Sequence, residues 1–182
     1  ETGQGLSNLD YAYIAAELGR SRLASESLNC SAPDTGNMEV LERVGTPEQK
    51  EQWLEPLLNG KIRSCFGMTE PGLASSDAKN IATQAVLDGD EWVINGEKTW
   101  NTGIHRAHSD MILARTSGEP GDGHGITAFL TPMDADGLVI EEYLWTFNMP
   151  TDHGRVSLTD VRVPHGAILG EEGRGLQIAQ HF

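Results

Sequence analysis

The chain has 182 residues, 38% of them apolar, and its 13 basic residues against 27 acidic ones leave a formal charge of −14. That length suits one ordinary domain or two small ones with a substantial core, and the patterned Trp, Leu, Ile, Val and Phe are not those of a disordered chain. With no run of Lys or Arg, the acidic balance argues against binding bare nucleic acid, and no apolar run is long enough to span a membrane.

The first third reads as helical. Leu9, Ala12, Tyr13, Ala16 and Leu18 recur at three- and four-residue steps between Leu9 and Leu23, with Ser7, Asn8 or Asp10 available as a cap. Pro33-Asp34-Thr35-Gly36 signals a turn, and Met38 to Val44 predicts a short helix ended by Gly45. Thr46 can cap the next helix with Pro47 at its first position and Gln49 at its third, the reciprocal capping-box pattern. Pro56 lies deep enough inside that helix to shorten or kink it, and Asn59-Gly60 stops it.

After Ile62 the period changes to that of strands. Ile81 to Leu87 and Trp92 to Ile94 flank the hairpin turn Asp88-Gly89-Asp90. Further strands are expected at Lys98 to Trp100, Met111 to Arg115, Ile126 to Leu130, Leu138 to Tyr143 and Arg155 to Val161. No helical pattern separates them, which argues for an antiparallel sandwich or barrel rather than a parallel βαβ sheet. Pro164 leads out of the sheet, and Gly170, Gly173 and Gly175 precede Leu176 to Ala179, which reads as the start of another helix. The fold class is therefore α+β: a helical segment over 1–62, a β-domain over 63–165, and 166–182 leading toward a further helical domain. A first residue other than Met and a last one inside a helix start suggest a piece of something longer.

Few residues offer chemistry by spacing alone. His105 and His108 are a possible metal pair with no clustered third ligand, so exposed loop histidines are the simpler reading. Asp152 and His153 could form an Asp–His pair, although neighbours along a strand usually point apart. Cys30 and Cys65 could form one disulfide, but a single pair is no stapled scaffold and a reducing compartment is the easier assumption. Asn29-Cys30-Ser31 matches a glycosylation pattern that carries little weight without a secretory leader. Gly170 to Gly175 lacks the residues of a phosphate-binding Walker loop and reads as a turn into a helix.

Two stretches stand out. Ser64 to Asp77 joins an apolar strand to a small-residue loop rich in hydroxyls, suited to a polar ring edge or a phosphate. Asn95-Gly96-Glu97-Lys98-Thr99-Trp100-Asn101-Thr102-Gly103 sets a tryptophan two residues before a hydroxyl; such a ring can cover a planar cofactor, or simply pack in a core.

Taken together, Thr69-Glu70-Pro71, Ser75-Ser76-Asp77, Trp53-Leu54-Glu55-Pro56-Leu57, Asn95 to Trp100, Asp160-Val161-Arg162-Val163-Pro164 and Leu169 to Gly175 resemble, in family order, the acyl-CoA dehydrogenases. The resemblance is to the branch with ASSD after TEP, which includes members acting on unusual or longer acyl chains. The loop after Pro71 is one residue longer than in the best-known members, and Asn101-Thr102-Gly103 departs from their commoner pattern.

The resemblance implies an FAD-dependent oxidoreductase of fatty acid metabolism, in which a glutamate removes the α-proton of an acyl-CoA and hydride leaves the β-carbon for the flavin. It implies that Phe66 and Met68 lie beside the isoalloxazine and that Thr69 bonds its pyrimidine edge. Ser76 would hold the phosphate end, Trp100 would pack on the ring system, and Thr102 would bond near its reactive nitrogen. The catalytic glutamate is expected downstream of this chain, and no glutamate present matches it, so the chain alone is expected to be inactive and to bind flavin poorly. Implied partners are the acyl-CoA substrate, an electron-transferring flavoprotein and further copies in a homo-oligomer, in the cytoplasm or an organelle matrix. The alternative is a non-catalytic structural or binding module that retains the β-domain.

Overall fold

The computed structural model describes residues 4–21, 23–75 and 77–180. The helices are α1 (Asn8–Leu18), α2 (Ala24–Ser27), α3 (Asp34–Val44), α4 (Pro47–Gln49), α5 (Glu55–Leu58) and α6 (Gly175–Ala179). No helix among the described residues is long and apolar enough to cross a membrane. The strands are β1 (Ser64–Gly67), β2 (Gln84–Asp88), β3 (Glu91–Thr102), β4 (Ser109–Arg115), β5 (Ile126–Pro132), β6 (Leu138–Thr146), β7 (Met149–Pro164) and β8 (Ile168–Leu169). This is the expected α+β arrangement.

Local signals govern several boundaries. The Thr46 side chain accepts from the Gln49 amide at 3.2 Å while Gln49 Oε1 accepts from the Thr46 amide at 3.1 Å, completing the capping box of α4. Between α4 and α5, Lys50–Leu54 winds as a π-helix. Pro56 cannot donate to residue 52, and the wider turn carries the chain through the proline without ending the helix. Ser7 caps α1, accepting from the Asp10 amide at 3.1 Å. That helix stops at Leu18, short of the expected Leu23, because Gly19 follows and no residue of α1 is buried to extend it.

Helix α3 begins four residues earlier than its apolar pattern predicts. Asp34, read as part of a turn, is buried, and its carboxylate accepts from the Ser64 amide at 2.8 Å and from Ser64 Oγ at 2.7 Å. Arg63 Nη1 lies 3.2 Å away. Asn37 Nδ2, one turn on, donates to Ser64 Oγ and to the Cys65 carbonyl. Gln49 Nε2 donates to the carbonyls of Gly166 and Ile168. These buried polar ties seat the helices on the sheet.

The eight strands form one sheet of order β6-β7-β3-β2-β4-β5-β8, with β1 beside β4. Most pairings are antiparallel, but β1 runs parallel to β4 and β2 meets β4 in parallel at one residue pair. The parallel β1–β4 pair is possible because the loop, β2 and β3 supply the long crossover that such a pair requires. Gly89-Asp90 forms the two-residue turn of the β2–β3 hairpin, with Gly89 at φ +69°.

Strand β4 explains the layering. Its residues are buried on both faces: Ile112 and Ala114 enter a core with Trp92, Ile94, Phe129 and Val156, while Met111 and Leu113 enter another with Val40, Leu41, Leu57 and Ile178. Period-two alternation thus sends one face into the β-layer and the other toward α3, α5 and α6.

Candidate functional site

The two conspicuous stretches lie side by side. The loop after β1 meets β3 through the Thr99 amide, which donates to the Thr69 carbonyl at 2.9 Å. Beneath this contact, Lys98 Nζ lies 2.7 Å from Glu70 Oε1 and 3.4 Å from the Met68 carbonyl, and Lys98 is wholly buried. Glu70 also accepts from the amides of Ala82 (2.7 Å) and Thr83 (2.9 Å). Burial alone would raise the Glu70 carboxyl; the Lys98 charge and these hydrogen bonds hold it below its ordinary value. Burial lowers the Lys98 ammonium against the opposing pull of Glu70. Ser75 closes the loop, its hydroxyl accepting from the Glu70 amide at 3.0 Å.

Two bulges shape β3. Opposite Asn95 the extra residue is in β7, where Asp160 stands at φ +50° and its amide and carboxylate pair with the Asn95 side chain. Gly96 is required there: a Cβ would lie 2.7 Å from the Thr83 Cα. The second bulge falls between Lys98 and Asn101, and Trp100 takes φ +62°, a left-handed conformation unusual for a bulky residue. The bulge lets Lys98 and Asn101, three residues apart, both turn inward while Trp100 stays 47% exposed.

Asn101 Nδ2 donates to Asp110 Oδ2 at 2.7 Å in the interior. Burial pushes the Asp110 carboxyl up to about 6, against the hydrogen bonds from Cys65, Asn101 and the Gly67 amide and the charge of Lys98. Burial likewise pushes the Cys65 thiol up, helped by the Asp110 charge. Gly67 fits because a Cβ would meet both Asp110 oxygens, at 3.0 and 3.2 Å. Cys30 and Cys65 are both free thiols.

The residues singled out by sequence distribute over this frame. Phe66 and Met68 turn to the helical side of β1 and line a cleft of about 500 Å³ with Pro33, Thr35, Glu39 and Ala179. Met68 also borders a neighbouring cleft of about 410 Å³ with Ser75, Lys79, Leu176 and Gln177. Thr69 is half-buried at the junction of the two segments, and Trp100 and Thr102 stand on β3 beyond the bulge. Ser76 lies outside the described residues. His105 and His108 are exposed; the His105 ring meets Tyr143, and His108 Nδ1 accepts from the Arg63 amide.

Sequence reasoning missed the partnership of His153 with Thr102 and the role of Arg115. His153 sits opposite Thr102 across the β3–β7 pair, its Nδ1 2.9 Å from Thr102 Oγ1, and its ring meets the Trp100 indole edge-on at 5.9 Å. The Asp–His pair weighed from sequence is a looser contact, with Asp152 Oδ1 3.7 Å from the same nitrogen. Arg115, buried, donates to the carbonyls of Lys79 and Ile81 and so fixes the segment after the loop. Neither carries a local motif.

Known proteins share this frame. Residues 65–161 match the family model described as acyl-CoA dehydrogenase, middle domain, and residues 1–61 match acyl-CoA dehydrogenase, N-terminal domain. Acyl-CoA dehydrogenase family member 10 of Mus musculus is 46% identical over 98% of this chain and 17% of its own length. A solved structure from Mycobacterium abscessus assigned to the acyl-CoA dehydrogenases superposes with a TM-score of 0.92 at 48% identity, over 98% of this chain and 45% of that one. A chain in a structure of the electron transferring flavoprotein of Acidaminococcus fermentans superposes at 0.76 with 29% identity, over 98% of this chain and 47% of that one. The chain thus spans less than half the length of these relatives. With its bulged β3, its Glu70–Lys98 fastening and two family models matched in order, the chain belongs to the acyl-CoA dehydrogenase family.

Proposed function

We propose that this chain supplies the flavin-holding face of an FAD-dependent acyl-CoA dehydrogenase that forms a 2-enoyl-CoA. The observation that carries the reading is Trp100, held in a left-handed conformation with its indole half exposed beside Thr102. Backbone strain of roughly 1–3 kcal/mol persists where surrounding structure over-determines it, commonly at ligand sites. The residues fit a flavin: an exposed indole for a ring face, the Thr69 and Thr102 hydroxyls for its edge, and apolar Phe66 and Met68 beside a cleft.

When bound, FAD accepts the hydride leaving the acyl β-carbon. Trp100 would cover the ring system and exclude water from it, and the Thr102 and Thr69 hydroxyls would bond its polar edge. Phe66 and Met68 would form the apolar wall. Glu70 is not the proton acceptor, because its carboxylate is committed to Lys98 and two backbone amides. An acyl-CoA is the substrate, and an electron-transferring flavoprotein takes the electrons from the oligomeric enzyme. The similarity to a chain in such a flavoprotein structure supports that partner.

The test is the visible spectrum of the full-length protein, with the downstream region expected to carry the glutamate, reconstituted with FAD and then mixed anaerobically with saturated acyl-CoAs. A flavin spectrum that bleaches with formation of 2-enoyl-CoA is expected. Failure to retain flavin would overturn the reading. Retained flavin that no acyl-CoA bleaches would favour a non-catalytic module.

A further inference from the structure

Resting on the reading of Thr102 as a flavin contact, we infer that His153 is a positioning residue that orients the Thr102 hydroxyl and thereby tunes the potential of the bound flavin. The two residues are register partners in the antiparallel β3–β7 pair, which sets their side chains on one face. Their contact, His153 Nδ1 to Thr102 Oγ1, is 2.9 Å.

The frame around them is tight. Gly154 is buried under Ile104, whose Cγ2 would lie 2.5 Å from any Cβ placed at that glycine. The Gly103 amide donates to the Asp152 carbonyl at 2.9 Å. The His153 amide reaches Thr151 Oγ1 at 3.4 Å, and that hydroxyl donates to the Leu144 carbonyl at 2.6 Å. Trp100 closes the other side of the imidazole. The ring is therefore held by both residues assigned to the flavin on this strand.

A threonine hydroxyl carries one proton, and its direction depends on what the imidazole nitrogen offers. With a bare Nδ1, Thr102 donates to His153 and has no proton for anything else. With a proton on Nδ1, His153 donates to Thr102 Oγ1 and the hydroxyl proton points onward. We assign the tautomer with its proton on Nδ1, in which His153 donates to Thr102 Oγ1; the Asp152 carboxylate, 3.7 Å from that nitrogen, is an acceptor and offers it no competing donor. The hydroxyl is then a donor directed away from His153. Reduction adds electron density to the flavin ring, so a donated hydrogen bond stabilises the reduced form and raises the potential.

The experiment measures the midpoint potential of the flavin-loaded full-length protein, downstream region included, for Thr102→Val, His153→Leu, His153→Asn and the double variant T102V/H153L. Asparagine places a nitrogen donor near the position of Nδ1; leucine supplies none. The expected result is a negative shift for H153L in the same direction as T102V, no further shift in the double variant, and recovery toward the wild-type potential in H153N. Equal shifts for H153L and H153N would reduce His153 to packing and overturn the inference. So would an H153L potential unchanged from wild type, or additive shifts in the double variant. A wild-type protein that binds no flavin would instead overturn the functional reading beneath it.

Discussion

Lys98 and Glu70 meet at 2.7 Å with the ammonium wholly shielded from solvent, and this ion pair fastens the loop after β1 to β3. Segments 28 residues apart are joined by one charge pair, with the Thr69 carbonyl and Thr99 amide bonded beside it. Two stretches that read as a ligand signature are therefore also a single mechanical unit.

Removing one partner leaves the other charge buried and uncompensated, which costs about 3–5 kcal/mol. Lys98→Met and Glu70→Gln are each expected to destabilise the protein, Lys98→Met on that scale. The double variant should lose clearly less than the sum, because the neutral Gln no longer needs the ammonium and still offers an acceptor to the Ala82 or Thr83 amide. Urea unfolding of the four proteins measures the coupling; additive losses would show that the pair is not a unit.

What could be read in advance follows the range of the interactions. The Thr46 capping box and the Gly89 hairpin turn were legible because both partners lie within four residues. The α+β division was legible from the change of period. Strand β3 was read as two pieces because Asn95-Gly96 looks like a break, whereas the side chain of Asn95 bonds Asp160 and β3 continues. The start of α3 was missed because Asp34 is held by Ser64, 30 residues on. The partnership of His153 with Thr102 was missed for the same reason, at a separation of 51 residues. The bulge at Trp100 exists only in the pairing of β3 with β7, so no single strand shows it.

Asp110 makes stability depend on pH with a definite sign. Its carboxyl titrates at about 6 in the folded protein against an ordinary 3.8, so between those values the folded state holds more protons than the unfolded one. Its contribution is fully present below about pH 4 and is lost as pH rises through about 6. At about 1.4 kcal/mol per unit, the swing is roughly 3 kcal/mol. Asp110→Asn cannot ionise, so its stability relative to wild type should rise by about that amount between pH 4 and pH 7. Denaturant titrations at several pH values check this, and a pH-independent difference would contradict the burial of a titrating Asp110.

Gly96→Ala tests the close crossing of β3 over residue 83. The new Cβ would meet Thr83 Oγ1 at 2.4 Å and its Cα at 2.7 Å, and the second is backbone that cannot turn aside. The φ of +154° adds strain for any L side chain. A loss of about 2–3 kcal/mol is expected from overpacking and strain together. Gly89→Ala, at a turn glycine with nothing within 4 Å of its Cβ, is the control and should lose only the cost of positive φ. Melting temperatures of the two variants separate crowding from backbone strain.

Trp100 should be costly for ligand binding and cheap for the fold. Asparagine tolerates the left-handed conformation better than a bulky aromatic, so Trp100→Asn relieves strain of about 1–2 kcal/mol at φ +62°. It gives up the buried half of the indole and the edge contact with His153, losses of similar size and opposite sign. The melting temperature should therefore move little, by the equivalent of about 1 kcal/mol in either direction. If the indole covers a flavin, the same substitution removes a large aromatic contact, and affinity for FAD should fall about tenfold or more. Calorimetry of the apoprotein and fluorescence titration with FAD read the two effects separately. A large stability loss with unchanged affinity would make Trp100 a packing residue, since strain at a purely structural position would then be offset by the fold alone.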